Sequence, residues 1–299
     1  MEQSQLSENK TCPSCGHQNY VTYLELTDYF LTKEDFSILK CSNCGLLITY
    51  PQPIENEIGK YYKSTEYISH NTGNRGVGYY IYDLIRRKTL ASKLHLLKKY
   101  SKGNLLLDIG CATGVFLNHC RKHGFQVEGI EPDNKARQYA LEHYHLPVKD
   151  VNSLNEYNKK SFDVITMWHV LEHVADLNER MSVVRDIMKD TGTLFVALPN
   201  PASYDAKYFG KYWAAYDVPR HLFHFTKDSF TALSEKYGFK IIKVLPMIYD
   251  SYYISLLSEK YKNGNSSYLK ALLLGMKSNS YARKHDTNYS SLIYILKKV

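Results

Sequence analysis

Residues 105–114 read Leu105-Leu-Leu-Asp108-Ile-Gly110-Cys-Ala-Thr-Gly114, and this stretch decides the fold. An apolar run of strand length ends in an acid and a turn bearing two glycines, and residues 113–123 then read as a helix. Glycine lets the backbone approach a ligand closely and opens the N-terminus of a following helix. Such a loop is ambiguous alone, because dinucleotide-binding enzymes use one too. Their fingerprint wants Gly at the first, third and sixth positions. Here those positions hold Gly110, Ala112 and Val115, so the dinucleotide pattern fails. The carboxylate of Asp108, just before the turn, suits instead a cofactor that bears an ammonium group.

Outward from this turn, short apolar runs alternate with amphipathic segments. The runs Leu105–Ile109, Val127–Ile130, Val164–Trp168 and Thr193–Leu198 read as strands, and 113–123, 134–144 and 176–189 as helices. This βαβαβ rhythm argues for an α/β fold whose mostly parallel sheet is covered on both faces. A helix near 227–237 ends at Gly238, which can take the left-handed cap. Lys240–Leu245 and Ser291–Lys297 read as two late strands, with a helical, basic insertion at about 247–290 between them. Upstream, 77–100 reads as a helix, Pro51-Gln52-Pro53 punctuates the chain, and Asn71-Thr72-Gly73-Asn74 reads as a loop. Three units follow: a cysteine-paired module over 1–53, a linker and cap helix over 54–102, and the α/β domain over 103–299.

The N-terminal module carries Cys12-Pro-Ser-Cys15-Gly16 and Cys41-Ser-Asn-Cys44-Gly45. Two-residue spacing lets both thiolates of a pair face one ion from a tight knuckle, and two knuckles supply a tetrahedral structural Zn²⁺ site. Cys12, Cys15, Cys41 and Cys44 are therefore the expected metal ligands, in a closed site with no catalytic position. The other two of the six cysteines, Cys111 and Cys120, read as small packed residues.

The 299 residues suffice for one large domain and a small module, and the composition is that of a globular chain, 44% hydrophobic and 23% charged. Apolar runs stay short of a membrane span, and the first residues, MEQSQLSENK, lack the apolar core of a signal peptide. The expectation is a cytoplasmic protein without a membrane partner. The net charge of +8 comes mostly from 82–102 and 251–299; Lys-rich solvated helix faces explain it, and nucleic acid is permitted but not favoured.

The segment Asp108-Ile-Gly110-Cys111-Ala112-Thr-Gly114 resembles the first motif of class I S-adenosylmethionine-dependent methyltransferases, D-x-G-C-G-x-G. Ala112 departs from the usual Gly; Ala is expected at φ below zero, with S-adenosyl-L-methionine binding retained. Glu131, followed by Pro132, closes the second strand, where the family places an acid on the ribose hydroxyls. Asp150-Val151 resembles the segment whose acid meets the adenine amine. Either acid could instead be a helix N-cap. The resemblance covers 103 to about 245 and implies a Rossmann-like, doubly wound, seven-stranded sheet, the strand near 291–298 fitting its final antiparallel hairpin.

In doubly wound sheets ligands sit beyond the carboxyl ends of strands, where strand order reverses. That places Trp168 and His169, at the end of the fourth strand, beside the transferred methyl group, and a near-neutral imidazole there suits proton acceptance. His169-Val-Leu-Glu172-His173 also fits a metalloprotease pattern, H-x-x-E-H, and is similar to the E-x-x-E-H stretch of ubiquinone-type O-methyltransferases, which can hold a divalent cation; His169 stands where their first acid would be. Pro219-Arg220-His221 resembles a segment of the same enzymes, in which Arg220 and His221 would bind an anionic group or anchor a loop. His169 and His221 are the expected catalytic residues. The implied function is methyl transfer to a small molecule, to oxygen before nitrogen or carbon, with residues 54–80 and 247–290 capping the pocket. RNA methylation and a catalytically inert zinc-ribbon binding protein are the alternatives.

Overall fold

The computed structural model describes residues 11–62 and 77–299. The N-terminal decapeptide, the 71–74 loop and part of the 54–80 cap lie outside them. In chain order the elements are β1 (Tyr20–Thr27), β2 (Asp35–Cys41), β3 (Leu47–Tyr50), the single-turn α1 (Glu55–Ile58), α2 (Val77–Tyr100), β4 (Leu105–Ile109), α3 (Val115–Arg121), β5 (Gln126–Ile130), α4 (Asn134–Tyr144), β6 (Val148–Lys149), β7 (Phe162–Trp168), α5 (Leu177–Ile187), β8 (Met188–Pro199), α6 (Tyr204–Phe209), β9 (Phe223–His224), α7 (Lys227–Lys236), β10 (Phe239–Pro246), α8 (Asp250–Asn263), α9 (Tyr268–Lys284) and β11 (Ser291–Lys298).

Seven strands form the main sheet in the order β10-β11-β8-β7-β4-β5-β6. The five central and distal strands run parallel, whereas β11 is antiparallel to both β8 and β10. This is the doubly wound, mostly parallel arrangement expected. Strand order reverses between β4 and β7, and the turns after these strands open there. Both sheet faces are covered: Leu107, Ile109, Ile165 and Val196 pack on one side, and Leu106, Val164, Phe195 and Ala197 on the other.

The cysteine module completes a second, four-stranded sheet, β1-β2-β3-β9. Its third strand pairs with β9, Leu47 opposite His224 and Ile48 opposite Phe223. Cys12, Cys41 and Leu46 also join the core beneath the main sheet. The module is therefore built into the α/β domain by backbone pairing as well as by side chains. Strand β2, seven residues long, runs directly into the second cysteine knuckle.

One buried ion pair locks the two sheets together. Asp28, at the turn after β1, accepts from the amides of Phe30, Leu31 and Thr32 and from the Thr32 hydroxyl. Its Oδ1 also accepts from Arg220 Nη2 at 2.8 Å, with both side chains at most 1% exposed. Arg220 donates further to Asp217 Oδ1 at 2.7 Å and to the carbonyl of Tyr61 at 3.1 Å. Burial opposes both charges, and the pairing outweighs it: Asp28 titrates below the usual carboxylate range and Arg220 above its usual one. Removing one partner leaves an uncompensated buried charge. Asp28→Ala should therefore cost about 3–5 kcal/mol, seen as a fall in melting temperature of about 10 °C. Asp217→Ala, which leaves Asp28 in place, should cost clearly less; equal melting temperatures for the two variants would contradict this account.

Candidate active site

The turn after β4 is held by backbone bonds from Gly110 N and Cys111 N to the carbonyl of Ile130, at 2.7 and 3.1 Å. Gly110 has φ +74°, and a Cβ there would meet Val170 at 2.4 Å, so the turn closes tightly under the segment that follows β7. Ala112 corrects the expectation of φ below zero: it takes φ +48°. Its amide is the reason, since it donates to Glu131 Oε2 at 2.8 Å. Glu131 Oε1 accepts from Asp133 N at 3.0 Å, and burial pushes this carboxyl above its usual range. Each oxygen keeps a second lone-pair direction, which fits acceptance from a vicinal diol. Pro132 carries the chain from Glu131 to Asp133, which N-caps α4.

Asp108 is 2% exposed and accepts from the Thr166 hydroxyl at 2.5 Å. Burial raises its carboxyl to about 7, while Thr166 and nearby Lys93 partly offset the rise. Lys93, on α2, places its ammonium 4.3 Å from the centre of the Trp168 ring. Burial lowers its pKa, opposed by the charges of Asp108 and Asp250. The sequence reading left Lys93 among solvated lysines; its spacing from the apolar positions of α2 carried no sign of this contact. Trp168 stands edge-on to Phe116, and its buried indole Nε1 has no hydrogen-bond partner. The buried carboxylate of Glu131 after β5, buried Asp108 in β4 with the Lys93 ammonium nearby, and the unused indole donor of Trp168 fit an adenosyl amino-acid cofactor. Asp150 caps the 3₁₀ turn at Val151–Glu156 through Asn152 N and pairs with Arg137 at 2.9 Å, so the capping role foreseen for it is filled. Cys111 and Cys120 are buried, and Cys111 Sγ lies where a side chain at Gly129 would go.

Beyond the ends of β7 and β8 lies a cavity of about 430 Å³, lined among others by His169, Glu172, Ala215, His221, Asp250 and Tyr261. Helix α8 supplies one wall through Ile254, Leu257 and Tyr261. His169 takes φ +57°. Its Nδ1 lies 3.3 Å from Glu172 Oε1 and its Nε2 3.1 Å from Asp250 Oδ2. Burial disfavours its charge, but the two carboxylates prevail and raise it to about 9. This corrects the expectation of a near-neutral base: His169 is an imidazolium at neutral pH. Asp250, which the sequence reading missed, is the cause, because nothing local pairs residue 250 with residue 169.

Arg220 lines the same cavity, but Asp28, Asp217 and a carbonyl occupy its donors, so anchoring the loop is its observed work, in place of the anion binding considered from the sequence. The loop is clamped from the ribbon side: Thr49 Oγ1 donates to the carbonyl of His221 at 2.6 Å, and Thr49 N to that of Leu222 at 3.0 Å. His221 directs Nδ1 to the carbonyl of Ala215 at 2.9 Å, which fixes the proton there and leaves Nε2 the lone pair. His173 does the same toward the carbonyl of Arg220 at 3.0 Å, and burial lowers its pKa to about 4. Glu172, His173 and His221 bring ligand atoms within 4.8 Å of one another, and Glu172 Oε2 is buried without a hydrogen-bond donor. These three could hold a divalent cation; His169 stands outside the trio.

At the cysteine knuckles, Cys12 Sγ lies 3.6 Å from Cys44 Sγ and Cys15 Sγ 3.6 Å from Cys41 Sγ. A disulfide needs ~2.05 Å, whereas sulfurs on a tetrahedron around zinc at ~2.3 Å stand ~3.8 Å apart. The knuckles are near-copies: Gly16 N and Gly45 N donate to Cys12 and Cys41, with φ +76° and +74°. The four thiols fit a closed metal site.

Residues 82–244 match the family described as Methyltransferase domain. The chain belongs to that family. Among curated relatives, it is similar to the ubiquinone biosynthesis O-methyltransferase of Haemophilus ducreyi, 32% identical over 109 residues, 33% of this chain and 46% of that one. The protein of the same name in Xanthomonas campestris pv. campestris is 30% identical over 132 residues, 41% of this chain and 55% of that one. The chain thus spans about half the length of the curated relatives it matches. A Thermotoga maritima structure described as a SAM-dependent methyltransferase, possible histamine N-methyltransferase, superposes with a TM-score of 0.51 at 18% identity, covering 74% of this chain and 95% of that one. At that identity the likeness shows the methyltransferase fold.

Asp108 offers a direct test of this methyltransferase site. Its carboxylate, ionised above about 7, would meet the ammonium of the cofactor, a charge-assisted bond worth a factor of about 10–100 in affinity. Asp108→Asn should weaken S-adenosylhomocysteine binding by about that factor at pH 8 in calorimetric titration. The gap to the unaltered chain should narrow below pH 6, where Asp108 is already protonated; a gap independent of pH would remove the charge from the account.

Proposed function

We propose that this methyltransferase transfers a methyl group from S-adenosyl-L-methionine to a small molecule, with oxygen as the favoured acceptor atom. The observation that carries the reading is a half-open cavity walled by His169 and His221 beyond the carboxyl end of β7, the strand paired in parallel with β4, which leads into the Gly110–Gly114 turn. The cofactor supplies an electrophilic methyl group when bound. Asp108, Gly110, Cys111, Ala112, Gly114, Glu131, Pro132 and Trp168 would form its cradle, with Asp150 and Val151 toward the adenine. His221 carries the lone pair on Nε2 and would take the proton of the acceptor hydroxyl as oxygen attacks. His169, already protonated, would hold Glu172 and Asp250 in place around the acceptor. Direct placement of the acceptor is the main requirement of an in-line displacement, and the rigid loop behind His221 supports it.

We also assign the four cysteines a structural Zn²⁺, supported by the sulfur spacing. A cavity of about 430 Å³ has the size for a small-molecule acceptor.

Labelled methyl transfer into a cell extract, separated by size and nuclease sensitivity, tests the function. Label is expected in the low-mass fraction; label lost from a large fraction after ribonuclease would transfer the substrate to RNA. With the acceptor in hand, His221→Ala should lower kcat at least about 100-fold while leaving S-adenosylhomocysteine affinity unchanged. Elemental analysis should find about one zinc per chain, and its removal by a strong chelator should open residues 11–50 to protease, since such sites couple binding to folding.

A further inference from the structure

Helix α9 is amphipathic in the reverse of the usual sense. The face it turns inward is made of small or polar residues: Ala271, Gly275, Ser278, Asn279 and Ala282 are all buried. The contact is close, because a Cβ at Gly275 would meet the Tyr252 ring of α8 at 2.5 Å. Apart from Leu274, which packs against the core, the large apolar residues face solvent. Tyr268 is 79% exposed, Leu269 67%, Leu272 49%, Leu273 58% and Met276 53%. At 3.6 residues per turn these five fall within an arc of about 140°. Lys270, Lys277 and Lys284, seven apart and exposed, form a row along one margin of that arc, and exposed Arg283 lies within it. The helix contains no Asp or Glu. The preceding helix adds exposed Lys260 and Lys262.

The helix is held by its small face together with half-buried Leu274, so Tyr268, Leu269, Leu272, Leu273 and Met276 stand outside the core. A contiguous apolar patch rimmed by one sign of charge marks a docking surface. We propose that the outer face of α9 docks the protein onto an anionic lipid surface, lying in the plane of the interface. An amphipathic helix with lysines beside its apolar face buries that face ~5–10 Å into the headgroup boundary, and each lysine near an anionic leaflet adds to the attraction. Tyr268, at the helix start, is suited to the headgroup level. A second copy of this chain is the weaker occupant. Its own α9 would bring another lysine row and no acid to answer it. No described helix is long and apolar enough to cross a membrane, and docking needs only one apolar face. Helix α8 stands between this face and the cavity, packing on α9 through Tyr252 and walling the cavity through Ile254, Leu257 and Tyr261. The docking face therefore lies on the outer side of the same helical pair that encloses the site.

Co-sedimentation of the full chain with vesicles tests this. Vesicles of phosphatidylcholine with one quarter phosphatidylglycerol should carry the protein down, and pure phosphatidylcholine vesicles should carry little. Leu269→Gln combined with Leu273→Gln, and separately Lys270→Gln combined with Lys277→Gln, should each reduce partition onto the mixed vesicles about tenfold or more. The exposed positions should leave the melting temperature near that of the parent chain. A chain that stays in the supernatant with the mixed vesicles, or that binds them equally after both pairs of substitutions, overturns the proposal. So does self-association without lipid that the leucine pair abolishes, which would make the face an interface between copies.

Discussion

The pairing of Asp28 with Arg220 is the interaction on which the rest of the site depends. It joins a turn of the N-terminal ribbon to the segment between α6 and β9, whose regular structure is limited to two 3₁₀ turns. A buried guanidinium requires carboxylates and carbonyls around all its donors. Asp28, Asp217 and the Tyr61 carbonyl answer that requirement from three separate segments. Once Arg220 is fixed, the carbonyl of the same residue orients His173, and the next residue, His221, is set against Ala215. Thr49 then pins the same loop from β3. The ribbon is thereby given a purpose that a free-standing zinc module would lack. It is the rigid backing of the loop that carries His221, and the cysteine knuckles adjoin the strands that do the backing.

What was legible in the sequence follows from the range of the interactions involved. The strand, turn and helix at 105–121 are local, and each element there follows from neighbouring residues. The same is true of α4, whose bounds Asn134–Tyr144 coincide with the apolar pattern, and of the cysteine knuckles, where spacing alone fixes the geometry. For Arg220 the sequence leaves anion binding and loop anchoring open, because its partner Asp28 lies 192 residues away and no pattern connects them. His169 was read as a base for the same reason: its protonation is set by Asp250, which the sequence places in an insertion. Ala112 illustrates a different failure. Backbone preference argues for negative φ at alanine, but one buried hydrogen bond to Glu131 outweighs that preference.

Charge placement in the cavity has a consequence for the two histidines. They differ in one physical respect, the identity of the acceptors on their ring nitrogens. His169 faces a carboxylate at each nitrogen, and so is held in its doubly protonated form. His221 faces a neutral carbonyl at Nδ1, which fixes a tautomer without demanding a charge. Proton acceptance needs the second condition. The difference between the two rings is thus set by neighbours that come from α8 and from the 3₁₀ turn at Ala214–Tyr216.

The insertion between β10 and β11 occupies a place where the fold tolerates one, at the tip of the terminal antiparallel hairpin. That hairpin lies at the sheet edge, so a helical pair can grow from it without disturbing the parallel core. Asp205 ties the pair down: it accepts from Trp213 Nε1, Ser278 Oγ and Ser290 Oγ, at 2.8, 2.7 and 2.5 Å. Three neutral donors on one buried carboxylate bind α9 to α6 through polar contacts and leave its apolar residues uncommitted. A helix anchored by serine and glycine can keep leucine for the outside. The same economy explains why α8 can devote Tyr253, Leu257 and Tyr261 to the cavity: its attachment rests on Ser258, which accepts from Ala214 N, and on Tyr252 against Gly275. Small and polar residues hold the insertion in place, and its large residues are thereby free to face the cavity on one side and the surroundings on the other.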